Sequence, residues 1–354
     1  MIAAGGTAGH VVPALAVADA LRASGATVSF LGTRDHVEAT LVPAAGYELD
    51  FLAVRGLDRR NPLKALAAAG RAAAAVRAAR RILRRRGADV VMGGGGYVAG
   101  PAGLAARSAG IPLVLTEADS HLGLANRLLA RSASRVCLAF PIAGLDGDRY
   151  LVTGRPVPGA VLDADRSSAR RRFGIPDGDR CLLVFGGSLG ARSINDAALD
   201  AFADGEAGDF HVLHIAGTRD YPDARRRVEA ADLPRYTLLE YEPSLGDALA
   251  ASDLVLARAG GSVFELAAAG RPAILAPYPH ATGGHQEANA AWMANAGAAI
   301  VIDDAELTGR RVRAEAAALL DDRERLAAMA EASKWLARPD AARRIADEVL
   351  AARG

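Results

Sequence analysis

The chain has 354 residues, a length that fits two ordinary domains, and its 51% apolar and 23% charged residues exclude a disordered chain. Its 42 Lys/Arg against 41 Asp/Glu leave a net charge of +1, which argues against a dedicated nucleic-acid binder. No run approaches the ~18 consecutive apolar residues of a membrane span, Met1-Ile2 pass straight into Ala and Gly without a basic leader, and Cys137 and Cys181 sit in apolar runs as small hydrophobes of a reducing compartment. The expectation is a cytosolic chain, at most peripheral to a membrane.

Short apolar runs alternate with Ala-rich helical stretches. After a brief first strand at Met1–Ala4, strands are predicted at Thr27–Leu31, Ala88–Met92, Pro112–Leu115 and Arg135–Leu138. They continue at Cys181–Phe185, His211–Ile215, Tyr236–Leu239, Leu254–Leu256, Ala273–Leu275 and Ala299–Ile302. Nearly all are followed by a turn and a helical pattern, so the fold class is α/β, with parallel sheets covered by helices on both faces. The alternation breaks over Pro141–Asp165, rich in Gly, Pro, Asp and Arg, which reads as an interdomain linker. It divides a domain 1–155 from a domain 156–338, and a last helix, about 339–354, is expected to cross back onto the first. Residues 1–155 carry 19 Lys/Arg against 11 Asp/Glu and the remainder 23 against 30, so a basic half is joined to an acidic one.

Glycine clusters carry most of the chemical signal. Gly5-Gly6-Thr7-Ala8-Gly9-His10, Gly93-Gly94-Gly95-Gly96-Tyr97 and Gly186-Gly187-Ser188-Leu189-Gly190 each close a strand and open a helix. At such places backbone N–H groups can approach an anion and the helix terminus favours negative charge, so phosphate or pyrophosphate is the natural ligand. Any one of them alone is equally a tight strand-to-helix turn. No G-x-x-x-x-G-K-[ST] is present, which excludes a P-loop nucleoside triphosphatase. A fourth cluster, Arg258-Ala259-Gly260-Gly261-Ser262-Val263-Phe264-Glu265, adds a carboxylate suited to a ribose diol; alone, Glu265 is equally a first-turn acid favoured by the helix dipole. The loop Pro277–Gly284 leads into a helix whose first turn carries His285, Gln286 and Asn289. The triplets Asp146–Asp148, Asp163–Asp165 and Asp177–Asp179 have turn context and read as turns, so no catalytic metal is expected.

Between Arg55 and Arg86 lie eleven Lys/Arg and one acid, Asp58. From Pro62 onward the pattern is a long helix with Arg77, Arg80, Arg81 and Arg84 on one face and Leu63, Leu66, Val76, Ile82 and Leu83 supplying apolar area. It reads either as a surface for anionic lipid or as the solvated face of a crossover helix.

The segments GGTAGHVVPALAVADAL, GGGGYVAGPAGLAA, LVFGGSLGARSIND, RAGGSVFELAAAGRPAILAPYPH and HQEANA, in that order, resemble the MurG family of peptidoglycan glycosyltransferases. The resemblance implies a GT-B architecture of two Rossmann-like domains facing a cleft. It implies inverting transfer of N-acetylglucosamine from UDP-N-acetylglucosamine to the 4-hydroxyl of N-acetylmuramyl-pentapeptide pyrophosphoryl-undecaprenol, lipid I, without a cofactor. It further implies a peripheral enzyme on the cytoplasmic face of the cell membrane, held to anionic lipid by the basic helix 62–86.

Carried over position by position, His10 stands at the general base, and Thr7, Ala8 and Gly9 line the donor side of the first loop. Ser188 contacts the pyrophosphate, while Gly261, Ser262, Val263, Phe264 and Glu265 meet diphosphate and ribose. His285 and Gln286 meet the donor sugar, and Gly95, Gly96 and Tyr97 lie on the acceptor side. Asp119 replaces an Asn that contacts the donor sugar and, ionised, cannot donate. Pro158 stands where the family has Arg, with Arg155 three residues earlier to supply the charge, and Leu189 replaces a common Gln. These departures leave room for a related glycosyltransferase with a different or soluble acceptor; a UDP-N-acetylglucosamine 2-epimerase shares the two-domain architecture, and the basic helix speaks against both, while the His and the ribose-type Glu speak against a non-catalytic nucleotide-binding regulator.

Overall fold

A computed structural model of the chain describes residues 1–54, 62–202, 209–231 and 233–353. They form two compact units, Met1–Pro158 with Arg338–Gly354, and Gly159–Ala337.

The first unit runs β1 (Ile2–Ala4), α1 (Ala8–Ala23), β2 (Ser29–Gly32), α2 (Glu38–Ala44), β3 (Glu48–Phe51), α3 (Pro62–Arg86), β4 (Val91–Gly95), α4 (Ala99–Ala109), β5 (Leu113–Glu117), α5 (Leu124–Leu129), β6 (Arg135–Leu138) and β7 (Tyr150–Val152). All pairings are parallel, in the order β3-β2-β1-β4-β5-β6-β7. The inner strands Ile2–Ala4, Val91–Gly95 and Leu113–Glu117 are buried on both faces, which is why they read as unbroken apolar or small-residue runs. Strand β4 continues three residues past the predicted Met92, into the glycines, because only a residue without Cβ fits there. A Cβ on Gly94 would stand 2.9 Å from the Ala4 Cβ and 3.3 Å from that of Ala14.

Two strands are additions to the sequence reading, β3 and β7. Both are sheet edges with a single partner and half-exposed side chains: Glu48–Phe51 alternates polar and apolar residues, and Tyr150–Val152 is a three-residue apolar run inside a stretch rich in Gly and Asp. Strand β7 lies inside the stretch taken as a linker, and the first unit continues to Pro158.

The second unit runs α6 (Gly159–Leu162), α7 (Arg166–Phe173), β8 (Arg180–Phe185), α8 (Arg192–Phe202), β9 (Phe210–Ile215), α9 (Tyr221–Ala231), β10 (Tyr236–Leu239), α10 (Leu245–Ala251), β11 (Leu254–Ala257), α11 (Val263–Ala268), β12 (Ala273–Leu275), α12 (His285–Asn295), β13 (Ala299–Val301), α13 (Gly309–Asp321) and α14 (Arg323–Leu336). Its sheet is again parallel throughout, in the order β10-β9-β8-β11-β12-β13. The core joins Leu182, Val184, Ile194, Phe202, Leu256, Ile274 and Leu319 across sheet and helices.

The chain then returns through α15 (Ala341–Ala351) to the first unit, where Ile345, Ala346 and Val349 pack with Val11, Ala14, Val17 and Ala18 of α1. Burying each Ile or Val is worth about 1.5–3 kcal/mol. Arg135 Nε donates to Glu348 Oε2 at 2.8 Å and ties the same helix to β6.

The basic helix needs a correction. Ile82 and Leu83 are buried in the first unit's core, so they supply no apolar area to a membrane. Arg71, Arg77, Arg81 and Arg84 form the exposed face and have no acidic partner among the described residues, while Arg80 is half-buried. Arg55, Asp58, Arg59 and Arg60, and the side chains of Leu63, Lys64 and Leu66, lie outside the described residues.

Candidate active site

In a parallel sheet of this order the connections leave on opposite faces on either side of the first strand, and ligands bind in the crevice that opens at the strands' carboxyl ends. In the first unit that point lies between β1 and β4; in the second, between β8 and β11. The four glycine clusters are the loops that follow these four strands. Sequence alone placed each at a strand end; the topology pairs them, two per crevice.

In the first unit the two loops touch through backbone. Gly96 has φ +77°, and a Cβ there would stand 2.0 Å from the Gly5 carbonyl oxygen. His10 sits in the first turn of α1, half-buried, its N–H donating to the Thr7 carbonyl at 3.0 Å and its Nδ1 3.3 Å from Thr7 Oγ1. Gly95, at φ +100°, lies beneath the imidazole, and a Cβ there would stand 2.5 Å from His10 Cδ2.

Burial, and then the Arg155 charge, push the His10 pKa below its ordinary value, against the opposing pull of Asp119, the Gly5 backbone and Glu38. The imidazole is therefore neutral at neutral pH, the form that accepts a proton. Arg155 Nη2 donates to the Gly9 carbonyl at 2.5 Å. Pro13 lies inside α1 and lacks the N–H that would serve the carbonyl four residues back, so the guanidinium takes that bond.

Asp119 follows β5 in a turn organised by the buried Glu117, which accepts from Asp119 N at 3.2 Å, Gly123 N at 2.8 Å and Asn126 Nδ2 at 2.9 Å. Thr7, Ala8, Gly9 and Tyr97 are exposed around these loops.

In the second unit, Ser188 and Leu189 are exposed at the tip of the loop after β8, and the Ser188 carbonyl accepts from Thr218 N at 3.3 Å. The base of that loop is held against the turn after β9. A Cβ on Gly190 would stand 2.2 Å from the Ala216 oxygen, and Asn195 Nδ2 donates to that oxygen at 2.9 Å and to Asp220 Oδ2 at 3.2 Å. Asn195 is oriented in turn by the fully buried His214, whose Nε2 lies 2.9 Å from Asn195 Oδ1 and whose Nδ1 lies 2.7 Å from the Tyr236 hydroxyl.

After β11, Gly261, Ser262 and Glu265 are half-buried, whereas Val263 and Phe264 bury their side chains, Phe264 with its ring 5.0 Å from that of Trp292. The Val263 and Phe264 N–H groups donate to the carbonyls of Gly260 and Gly261, each at 3.3 Å, and so shape the turn that opens α11. Asn289 Nδ2 donates to the carbonyls of Ala259 at 2.9 Å and Gly260 at 3.3 Å, and Gln286 Oε1 accepts from Tyr278 N at 2.9 Å, with His285 beside it. Arg258 fastens the loop from below, donating to Asp304 Oδ1 at 2.6 Å, Ser193 Oγ at 2.7 Å and Ala276 O at 3.0 Å.

Residues 1–138 match the glycosyltransferase family 28 N-terminal domain and residues 181–345 its C-terminal domain. A Salinibacter ruber protein named UDP-N-acetylglucosamine–N-acetylmuramyl-(pentapeptide) pyrophosphoryl-undecaprenol N-acetylglucosamine transferase is 42% identical, over 99% of this chain and 96% of its own. The Acinetobacter baumannii MurG crystal structure superposes with a TM-score of 0.80 at 31% identity, covering 99% of each chain. This chain belongs to the MurG family, within glycosyltransferase family 28. A Neisseria meningitidis UDP-GlcNAc 2-epimerase, at TM-score 0.68 and 15% identity over 99% of each chain, shares only the fold.

Within the MurG family frame the two parallel-sheet units are the Rossmann-like halves of a GT-B enzyme, a UDP-GlcNAc-dependent N-acetylglucosaminyltransferase class. Four buried residues that hold the loops escaped the sequence reading: Glu38, Glu117, Asn195 and His214. Each is a polar residue in a helical or apolar stretch, and no local spacing separates it from a solvated one.

Proposed function

We propose that the chain transfers N-acetylglucosamine from UDP-N-acetylglucosamine to the 4-hydroxyl of lipid I, forming lipid II in peptidoglycan synthesis. The observation that carries this reading is His10, a half-buried neutral imidazole on a glycine loop, in a chain alike over its whole length to transferases of that name. His10 takes the proton of the acceptor hydroxyl as that oxygen attacks the anomeric carbon, and the bond from that carbon to the diphosphate oxygen breaks with inversion. General-base assistance of this kind is worth roughly 10²–10⁴-fold.

The proton then rests on His10, where Asp119 and Glu38 favour the imidazolium. Charge developing on the departing UDP is met by backbone N–H groups of the loops 186–190 and 258–262, with Ser188 at the pyrophosphate and Glu265 on the ribose diol. His285 and Gln286 take the donor sugar, and Gly95 to Tyr97 receive the acceptor. No cofactor or metal is required in this scheme. Asp165 of the second acidic triplet is used as the N-cap of α7, accepting from Ser168 N at 2.9 Å.

The acceptor is a lipid, and we place the enzyme peripherally on the cytoplasmic face of the membrane. No helix among the described residues is long and apolar enough to cross one. Between α3 and α4 lies a shallow groove formed by Ala73, Val76, Arg77, Leu104, Arg107 and Ser108, with one arginine from each helix beside an apolar floor.

The test is UDP release from UDP-N-acetylglucosamine, with and without a short-chain lipid I analogue. Release that depends on the acceptor supports the transferase. Release without it, or none in its presence, overturns the reading in favour of epimerisation, hydrolysis or another acceptor.

A further inference from the structure

We propose that Glu38 is a positioning residue for this transfer, a buried carboxylate that holds the first glycine loop and through it aims His10. Glu38 opens α2 and its side chain is wholly inaccessible. Oε2 accepts from Gly6 N at 2.9 Å, and Oε1 accepts from Thr33 N at 2.9 Å and from the Thr33 hydroxyl at 2.6 Å. His36 Nδ1 lies 3.2 Å from the same hydroxyl. No cation pairs with Glu38 among the described residues; the charge is held by hydrogen bonds alone. Burial works against ionisation, but the Thr33 hydroxyl and the backbone donors outweigh it and keep the carboxyl below its ordinary pKa.

The backbone around it is cut to fit. A Cβ on Gly5 would stand 2.4 Å from Glu38 Oε1, and one on Gly32 2.6 Å from Glu38 Cγ. Two glycines from different strand ends thus leave a slot that a side chain from α2 fills. The slot lies directly under the loop that carries the base: Gly6 precedes Thr7, whose carbonyl receives the His10 N–H at 3.0 Å.

Only a carboxylate of this length suits the slot. Glutamine would turn its NH₂ toward either the Gly6 or the Thr33 amide, donor against donor. Aspartate keeps the charge but falls a methylene short.

The charge also reaches the imidazole. The charged groups that act on His10 are Arg155 after β7, Asp119 after β5 and Glu38 on α2, and Glu38 favours the imidazolium that forms when the acceptor loses its proton.

The proposal rests on the transferase reading with His10 as base, so its test includes a readout that needs no turnover. His10 is titrated by NMR in the wild type and in Glu38→Gln, its resonance assigned by loss in His10→Ala, while kcat and KM are measured from pH 5.5 to 9. The expected result is a lower His10 pKa in Glu38→Gln, an acidic limb of kcat/KM moved the same way, and kcat reduced about 10–100-fold with donor KM little changed. Thr33→Val, a smaller lesion that loses the hydroxyl with its bond to Glu38 and its contact with His36, should move kcat in the same direction by less, and it replaces Glu38→Gln should that protein not fold. An unchanged His10 titration with kcat within threefold of wild type overturns the role of Glu38. A shifted titration in a wild-type protein that transfers no sugar supports the Glu38 contact and overturns the transferase reading instead.

Discussion

Arg155 donates to the carbonyl of Gly9 at 2.5 Å, four residues before Pro13, the proline that leaves that carbonyl without its helical partner. The guanidinium is thereby fixed beside His10, where it holds the imidazole pKa down. In Arg155→Gln the His10 pKa rises. Because the neutral form is the base, the acidic limb of kcat/KM moves to higher pH, and activity falls more at pH 6 than at pH 8. Pro13→Ala supplies the missing N–H, competes for Gly9 and should shift the limb the same way. A limb that stays put in both variants removes Arg155 from any control over the base.

Gly95 is the floor under the imidazole. Alanine there meets His10 Cδ2 at 2.5 Å in a backbone conformation, φ +100°, that side chains rarely adopt. Displacing a base by about an ångström costs on the order of 100-fold. Gly95→Ala should therefore lose about that factor in kcat while UDP binding, measured by calorimetry, stays near wild type. Equal losses in both would show a general collapse instead.

His214 makes stability depend on pH. Complete burial pushes its pKa down to about 3, so the folded protein holds it neutral while the unfolded chain, near the ordinary value of 6.5, takes up a proton. This contribution is complete above pH 6.5 and is lost as the pH falls from there toward 3, at up to about 1.4 kcal/mol per pH unit. Urea unfolding midpoints should decline between pH 6.5 and 5 in the wild type and less steeply in His214→Gln. Equal slopes would exclude His214 as a source of acid sensitivity.

The exposed face of α3 can be stripped of charge without touching the core, since Ala79, Ile82 and Leu83 lie on its other side. Each basic residue near an anionic surface is worth about 1 kcal/mol. Arg77→Gln, Arg81→Gln and Arg84→Gln combined should weaken co-sedimentation with anionic vesicles by roughly 100-fold and leave the thermal midpoint unchanged. A wild type that binds neutral and anionic vesicles alike would sink the membrane role.

Much of the architecture was legible before any coordinates. Unbroken runs such as Cys181–Phe185 read as strands because inner strands of a parallel sheet are apolar on both faces. The edges β3 and β7 escaped because Glu48–Phe51 alternates polar with apolar residues and Tyr150–Val152 is only three residues long in a stretch rich in Gly and Asp. In the basic helix Arg77, Arg81 and Arg84 share an exposed face, but Arg80 is half-buried and Ile82 and Leu83 face the core, since periodicity gives a stripe and not its partner.

Glycines at strand ends and the strand–helix alternation act locally, so the sequence by itself determined two parallel-sheet halves and the glycine loops at their strand ends. Glu38 and Glu265 show what it left open. Both are acids in the first turn of a helix, one wholly buried under a glycine loop and the other partly exposed. Only the tertiary structure separates them, because the slot around Glu38 is made by Gly5, Gly32 and Thr33, brought together by the pairing of β1 with β2. Burial, and with it the work a charge can do, belongs to neighbours that the chain assembles only on folding.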